Sequence, residues 1–280
     1  MQPWLETLGV IVLALLGFVV GLRLSRLQKP YWLAGYAVPL FFLFLVALVR
    51  NITTLRFVQP LGWVAAGRNE SVIIAAALPM IFGTLIPNLA NKRLRILLGI
   101  FLAATSVHFI IFPFLVPALV RGKLEKLQTF INVQGICIQS TDYTCGPAAA
   151  VTALQQFGIS ADEGRLAVMA CTRPIQGTPD DLLAAAIEKL YGPQGVTCRY
   201  QRFDSLAELK HACPTIAVVK FAPFIDHYVT VLEVSNDYVI VGDPLTGKQK
   251  LTYKQFKDKW RFIGIVVEQN SKEMSGSRRP

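Results

Sequence analysis

The stretch Ile138 to Gly158, IQSTDYTCGPAAAVTALQQFG, sets a single cysteine at the mouth of a run that reads as a helix. Pro147 falls near the first turn and Gly158 is the stop, so Thr144 to Phe157 forms one helix with Cys145 at its start. A thiol placed there faces unpaired backbone N–H groups and the positive end of the helix dipole, both of which favour thiolate over thiol. Taken alone, Cys145 is as readily a small core hydrophobe, which is how Cys137, Cys171, Cys198 and Cys213 are best read. Nucleophilic chemistry needs a base, and the base needs a group that orients it.

The chain has three histidines. His108 lies inside an apolar run. An ionisable group there is a functional hypothesis by default, yet a lone imidazole bonding to a neighbouring helix is the commoner case. His211 sits on a short polar helix and is solvated. His227 opens DHYVTVLEV at the beginning of a strand, and YVIVGD returns after the turn residues Asn236 and Asp237. An antiparallel hairpin centred on Asn236 brings position 227 opposite roughly 244 to 246, which puts Asp243 beside His227 at one sheet edge. Asp226 is the local competitor and the poorer partner, because adjacent strand residues point to opposite faces. An oxyanion donor must also lie near the nucleophile. The backbone N–H of Cys145 supplies one, and Gln139, upstream of the helix, can supply a side-chain amide. Gln139, Cys145, His227 and Asp243 are therefore the candidate site.

The elements that would position these residues lie after about residue 121, where charges of both signs and turn residues appear. A second helix is expected at SADE, with Ser160 and Glu163 at capping-box spacing, and a third over Thr178 to its stop at Gly192. SLAELKHA makes a short fourth. TIAVVKF, HYVTVLEV, YVIVGD, KQKLTY and FIGIVVE then read as strands, interrupted by a helical YKQFKDKW. Helices followed by a mostly antiparallel sheet argue for an α + β fold.

Upstream the chain changes character. It is 53% hydrophobic overall, too apolar for one ordinary soluble domain. Four apolar runs, about 5–22, 31–49, 71–90 and 96–120, each approach the roughly 20 residues that cross a bilayer as helix. The first run is not a cleavable signal peptide, since no positive segment precedes it and GLRLSRLQKPYW follows. Tyr31, Trp32 and Trp63 suit a membrane interface. Pro79, Pro87, Pro113 and Pro117 imply kinks that would shape a groove for an emerging precursor, although anchoring is the plainer role. The expected division is 1–122 for a transmembrane region, 123–270 for the soluble domain and 271–280 for a disordered tail.

Residues 1–128 carry twelve Lys/Arg against three acidic residues, out of a formal net charge of +10. Lying between apolar runs, that excess is a topology signal with lipid-headgroup contact and no nucleic-acid footprint. Four spans put both termini on one side. Each side's loops carry six basic residues, and the three that follow the first span at once lean both ends towards the extracytoplasmic side. The five cysteines lack a CxxC pair, so neither a disulfide framework nor a zinc site is indicated, and the proposed chemistry calls for no cofactor.

The blocks QSTDYTCGPAAAVTAL, DHYVTV and VGDPLTGKQKLTYKQFKDKW resemble, in order and spacing, the signature blocks of the bacteriocin-processing, double-glycine leader peptidases. These are papain-like cysteine peptidase domains best known at the N-terminus of peptide-exporting ABC transporters. The similarity runs over roughly Val133 to Val267, and GTPDDLLAAAIEKL resembles the segment leading into the family's third helix. The resemblance implies Gln139 as oxyanion donor, Cys145 as nucleophile, His227 as general base and Asp243 as its orienter. It also implies a bacterial inner membrane setting and a precursor cleaved after small residues such as a glycine pair.

Two departures stand out. Thr144 occupies the position before the cysteine where family members often carry Asp. The membrane region also precedes the peptidase block, and no ATPase is present. GDPLTGKQ matches G-x-x-x-x-G-K, but Gln249 stands where Ser/Thr would bind magnesium and the flanks read strand to strand, so ATP is not an expected partner. The expected function is a membrane-anchored cysteine peptidase whose partners are a peptide or protein precursor, the lipid bilayer and a separate export system. The alternatives are a non-hydrolytic module that binds leader peptides for such an exporter, and a relative that transfers the acyl group to an amine.

Overall fold

Apolar runs of bilayer length must satisfy their backbone internally, and helices do so. The computed structural model describes residues 3–28, 30–174, 176–222 and 225–270. The tail at 271–280, expected to be disordered, lies outside the described residues. Two compact units, Met1–Leu119 and Val120–Pro280, divide the chain.

In the first unit, α1 spans Pro3–Leu24, α2 Ala34–Asn51, a short α3 Gly62–Ala65, α4 Asn69–Leu85, and α5 Lys92–Ser106. A π-helical turn, Val107–Ile111, leads into α6, Phe112–Leu124. Three helices, over Trp4–Leu24, Tyr31–Asn51 and Asn69–Asn88, are long and apolar enough to cross a membrane by themselves. The fourth expected span is two segments, Lys92–Phe109 and Phe112–Leu124, bent by 49° at their junction. A π-bulge and Pro117 inside α6 are the recognised causes of such a break.

Helices α1 and α4 pack closely and run in the same direction. Glu6 pairs with Arg68 at one end, and Gly21 meets Met80 and Thr84 at the other. Glycine makes that approach possible: a Cβ on Gly21 would collide with the Met80 carbonyl, and one on Gly83 with the Phe18 carbonyl. An apolar cavity of about 350 Å³ lies in this unit, lined by Ile11, Ala14, Phe18, Pro79, Leu102 and Val107 among others.

The second unit is α + β, as the order of its sequence patterns requires. A two-stranded hairpin, β1 Phe130–Ile131 with β2 Cys137–Ile138, precedes α7 Cys145–Gln155, α8 Glu163–Met169 and α9 Asp180–Tyr191. There follow β3 Val196–Arg202, α10 Leu206–Lys210, β4 Thr215–Ala222, β5 Ile225–Val234, β6 Tyr238–Asp243, β7 Gly247–Thr252, α11 Tyr253–Lys259 and β8 Trp260–Gln269. The six strands β3 to β8 form one antiparallel sheet in the order β3-β8-β4-β5-β6-β7.

Alternation along the strands divides the sheet between two cores. One gathers Phe203, Leu209, Val229, Val231, Phe256 and Trp260. On the other, α7 lies against β5, where the Thr230 hydroxyl donates to the Ala149 carbonyl at 2.7 Å. Residues 145 to 154 of α7 are all buried. Its run of alanines gives a slim helix that sits close to the sheet and fixes where Cys145 emerges.

Helix α8 departs from the expected capping. Asp162, not Ser160, is the cap, accepting the Arg165 N–H at 2.6 Å, and Glu163 begins the helix. Gly164 lies so near the end of α6 that a Cβ there would collide with the Leu124 carbonyl, and Leu124 itself is buried.

Candidate active site

Cys145 is the first residue of α7, a position whose backbone N–H has no intrahelical acceptor. The chain enters the helix through a tight turn in which the Thr144 N–H donates to the Thr141 carbonyl at 3.3 Å and the Thr141 N–H donates to Thr144 Oγ1 at 3.1 Å. Thr144 is completely buried and makes no side-chain cap for the helix. Its hydroxyl closes the turn that delivers the cysteine, which is what threonine does at this position.

His227 lies in β5 and Asp243 ends β6. Strand register pairs Thr230 with Gly242, which carries position 227 just past the end of β6. There His227 Nε2 and Asp243 Oδ1 are 2.8 Å apart. The ring is buried, hydrogen-bonded on its other side to Cys145, and flanked by the Phe221 ring at 5.6 Å between centroids. With Nε2 taken by Asp243, Nδ1 is the nitrogen left for the thiol.

Burial would lower the basicity of His227. The hydrogen bonds from Asp243 and Cys145, and the charges of both, outweigh it and raise the pKa from 6.5 to about 9. Burial likewise opposes ionisation of Asp243, but the His227 bond and the Leu245 N–H, which donates to Oδ1 at 2.8 Å, hold its carboxyl below the ordinary range. The geometry is that of an imidazolium between an acid and a thiol. Asp226, on the neighbouring position, turns away and pairs with Arg261 at 2.7 Å.

Gln139 is anchored through its backbone to the turn after Asp243, its N–H donating to the Pro244 carbonyl at 3.0 Å. Its side-chain Nε2 donates to the Thr141 carbonyl at 2.7 Å, and its Oε1 is buried without a hydrogen-bond partner. The structure thus links Cys145, His227 and Asp243 directly by side-chain bonds. Gln139 joins them through the loop that Asp243 begins. His108 stacks among Phe109 and Phe112 in the first unit, and His211 caps α10 in an exposed position.

Two groups escaped sequence reasoning. Glu163 is completely buried, and its carboxylate accepts the Ser140 N–H at 2.9 Å and the Ser140 hydroxyl at 2.6 Å. The available signal was the adjacent pair Asp162 and Glu163, since only one of them can cap α8. Tyr228, beside His227, donates its one hydroxyl proton to Asp180, with the Thr178 carbonyl 2.8 Å away as the alternative acceptor, and the other Asp180 oxygen takes the Tyr200 hydroxyl at 2.8 Å. That network holds the Thr178 segment against Gly146, where Thr178 would lie 3.2 Å from an added Cβ.

The stretch 242–249 is a strand-to-strand hairpin in which Asp243 pairs with Gly247 at positive φ. A phosphate-binding loop would lead instead into a helix. Among the described residues, no group of three or more His, Cys, Asp or Glu is arranged to hold a metal ion.

A helix that begins at Cys145 thus packs on an antiparallel sheet that carries His227 and Asp243, an α + β arrangement suited to thiol chemistry. Residues 134–272 match the Peptidase C39 family, and the chain belongs to that family. Among its relatives is an uncharacterised protein of Methanothermobacter marburgensis, 30% identical over 142 residues that cover 51% of this chain and 94% of that protein. The probable functional amyloid protease FapD of Pseudomonas aeruginosa is 24% identical over 132 residues, 46% of this chain and 58% of FapD. Similar solved structures include the peptidase domain of Streptococcus ComA, a bifunctional ABC transporter (22% identity, 49% of this chain and 99% of that one, TM-score 0.43). Another is a double-glycine motif protease from an AMS/PCAT transporter, solved with its leader peptide (17% identity, 52% and 100% coverage, TM-score 0.41).

Proposed function

We propose that this chain is a membrane-anchored cysteine peptidase that hydrolyses a peptide or protein precursor. The observation that carries the reading is the placement of His227 between the Asp243 carboxylate, 2.8 Å away, and Cys145, and both neighbours raise its basicity. In the ion-paired form the Cys145 thiolate attacks the scissile carbonyl carbon and the C=O electrons move onto oxygen. The backbone N–H of Cys145 and the Gln139 amide stabilise that oxyanion. Collapse of the tetrahedral species expels the amine, which takes its proton from His227. Neutral His227 then removes a proton from water as it attacks the thioester, and the acid product leaves with the thiolate restored. Asp243 keeps the ring in place and stabilises its charged form.

The substrate by this reading is cleaved after small residues such as a double glycine, in keeping with membership of the family. The apolar helices anchor the site at a bacterial inner membrane, with both termini on the extracytoplasmic side. The same-direction packing of α1 and α4 supports this alternation of spans. A separate export system would handle the product. Co-expression of the full chain with a candidate precursor tests the activity: Cys145→Ala should leave the precursor intact, and continued processing would sink the proposal. Product mass separates hydrolysis from acyl transfer to an amine. A leader-binding module without activity would leave the precursor uncut by the unsubstituted chain as well. Reporter fusions at the C-terminus read the sidedness.

A further inference from the structure

Glutamate is almost never completely buried unless it is fully engaged, and Glu163 is completely buried. Its engagement is unusual in being directed at one residue. Both carboxylate oxygens go to Ser140, one to the backbone N–H at 2.9 Å and one to the hydroxyl at 2.6 Å. Ser140 follows Gln139 directly, so the peptide group between them is held by a carboxylate fixed at the start of a helix. On its other side Gln139 is tied to the Pro244 carbonyl, in the turn that Asp243 begins. The backbone of Gln139 is clamped from both sides, once by Pro244 in the turn after Asp243 and once, through Ser140, by Glu163.

The clamp extends further. The Glu163 N–H donates to Thr129 Oγ1 at 2.8 Å, and the Gln128 carbonyl lies 3.1 Å from the Ser140 hydroxyl. That hydroxyl has one proton, and the shorter contact assigns it to Glu163. The Gln128 carbonyl is the alternative acceptor.

We infer that Glu163 is a positioning residue for the oxyanion donor: through Ser140 it holds Gln139 where its amide can serve the site. This rests on the peptidase reading above. Among the described residues the side-chain amide of Gln139 bonds the Thr141 carbonyl alone, so its placement depends on its backbone, and its backbone depends on Ser140. The chemistry makes a sharp distinction between substitutions. Alanine removes both acceptors. Glutamine keeps one acceptor for the Ser140 N–H and can donate to the Ser140 hydroxyl, whose proton then turns to the Gln128 carbonyl.

The test uses the full chain in detergent with a fluorogenic peptide ending in Gly-Gly-aminomethylcoumarin, and iodoacetamide as a probe that needs the thiol but no oxyanion hole. Glu163→Ala should lower kcat by about tenfold to a hundredfold, with KM and the Cys145 alkylation rate within about twofold. Glu163→Gln should recover most of the loss. In a Gln139→Ala background, Glu163→Ala should cost little more, because the two act on one interaction. Parallel loss of turnover and alkylation, full multiplication of the two losses, or no loss in Glu163→Ala would each overturn the inference. Hydrogen exchange supplies a readout that does not depend on turnover. Amides of Gln139 to Thr141 should exchange faster in Glu163→Ala and not in Glu163→Gln, with α7 unchanged. Should the unsubstituted chain cleave nothing, the peptidase reading is the one that suffers. Unchanged exchange at Gln139 to Thr141 would then still refute the grip of Glu163, and faster exchange would uphold it.

Discussion

The two units bury opposite things. In the first, large apolar side chains such as Trp4, Leu8, Leu15, Phe41, Phe44 and Phe101 face outward, and glycines and threonine meet in the helix contacts. In the second, Trp260, Phe203 and Phe256 are wholly interior. Lipid tails are as apolar as leucine, so helices there gain by close backbone approach and not by hiding hydrocarbon. Water rewards burial of apolar surface at about 25 cal/mol per Å², and the sheet's cores are built on that. The charges differ as well. The first unit pairs Arg50 with Glu70 at open helix ends and draws Arg68 with Glu6 part-way inside at another. The second takes Glu163, His227 and most of Asp243 inside. Buried charge costs several kcal/mol unless paired, and each of these groups is partnered, Glu163 by Ser140 and His227 by Asp243.

The sharpest way to break this contrast is to remove the proposed nucleophile. Cys145→Ala should reduce precursor cleavage by a factor of about 10⁴ or more, assayed by product mass, while leaving both units folded. The same variant should lower the pKa of His227 below about 9, since Cys145 is one of the groups that raise it, and imidazole NMR titration reads this directly. Next in size, Asp243→Asn should cut kcat by about 10² to 10⁴-fold. It should also move the alkaline limb of kcat/KM from near pH 9 to lower pH, because loss of the carboxylate removes the largest influence holding the ring protonated. An unmoved limb would mean that another group sets it.

A milder test is aimed at the unit of apolar helices. Gly21→Leu should destabilise the α1 and α4 contact by about 1–3 kcal/mol, seen as a lower melting point in detergent, with Cys145 alkylation kept at its original rate. Loss of alkylation in parallel would show that the units do not melt separately. The smallest effect concerns pH and stability. His227 is raised above its ordinary 6.5, so its contribution is complete below that pH and is lost as pH rises through about 9. Asp243 is lowered, so its contribution is present above its ordinary 3.8 and is lost as pH falls through its depressed value. The melting point of the second unit should sag outside that window, and His227→Gln should remove the alkaline arm.

Much of this arrangement was legible beforehand because it is local or periodic. The helix that carries Cys145 is announced by Pro147 and Gly158, and the hairpin that brings Asp243 to His227 follows from two alternating runs and a turn. What escaped was tertiary. Glu163 stood at a spacing that local capping explains equally well, and its true partner, Ser140, lies 23 positions away in the chain. The bend in the fourth span was hidden because hydropathy counts residues and ignores the π turn that interrupts them. The hairpin β1 and β2 is too short to show a period. The Gln139 amide was expected by type, but its bond to Thr141 depends on the path of a turn.

Gly164 and Leu124 bear on how the protein can be taken apart. Because α8 rests without a side chain on the carbonyl that ends α6, the second unit includes the last turn of that helix. A fragment carrying the second unit alone should therefore begin before Val120 and carry that turn with it. Fusing the unit behind a foreign helix should succeed only when Leu124 travels along as well.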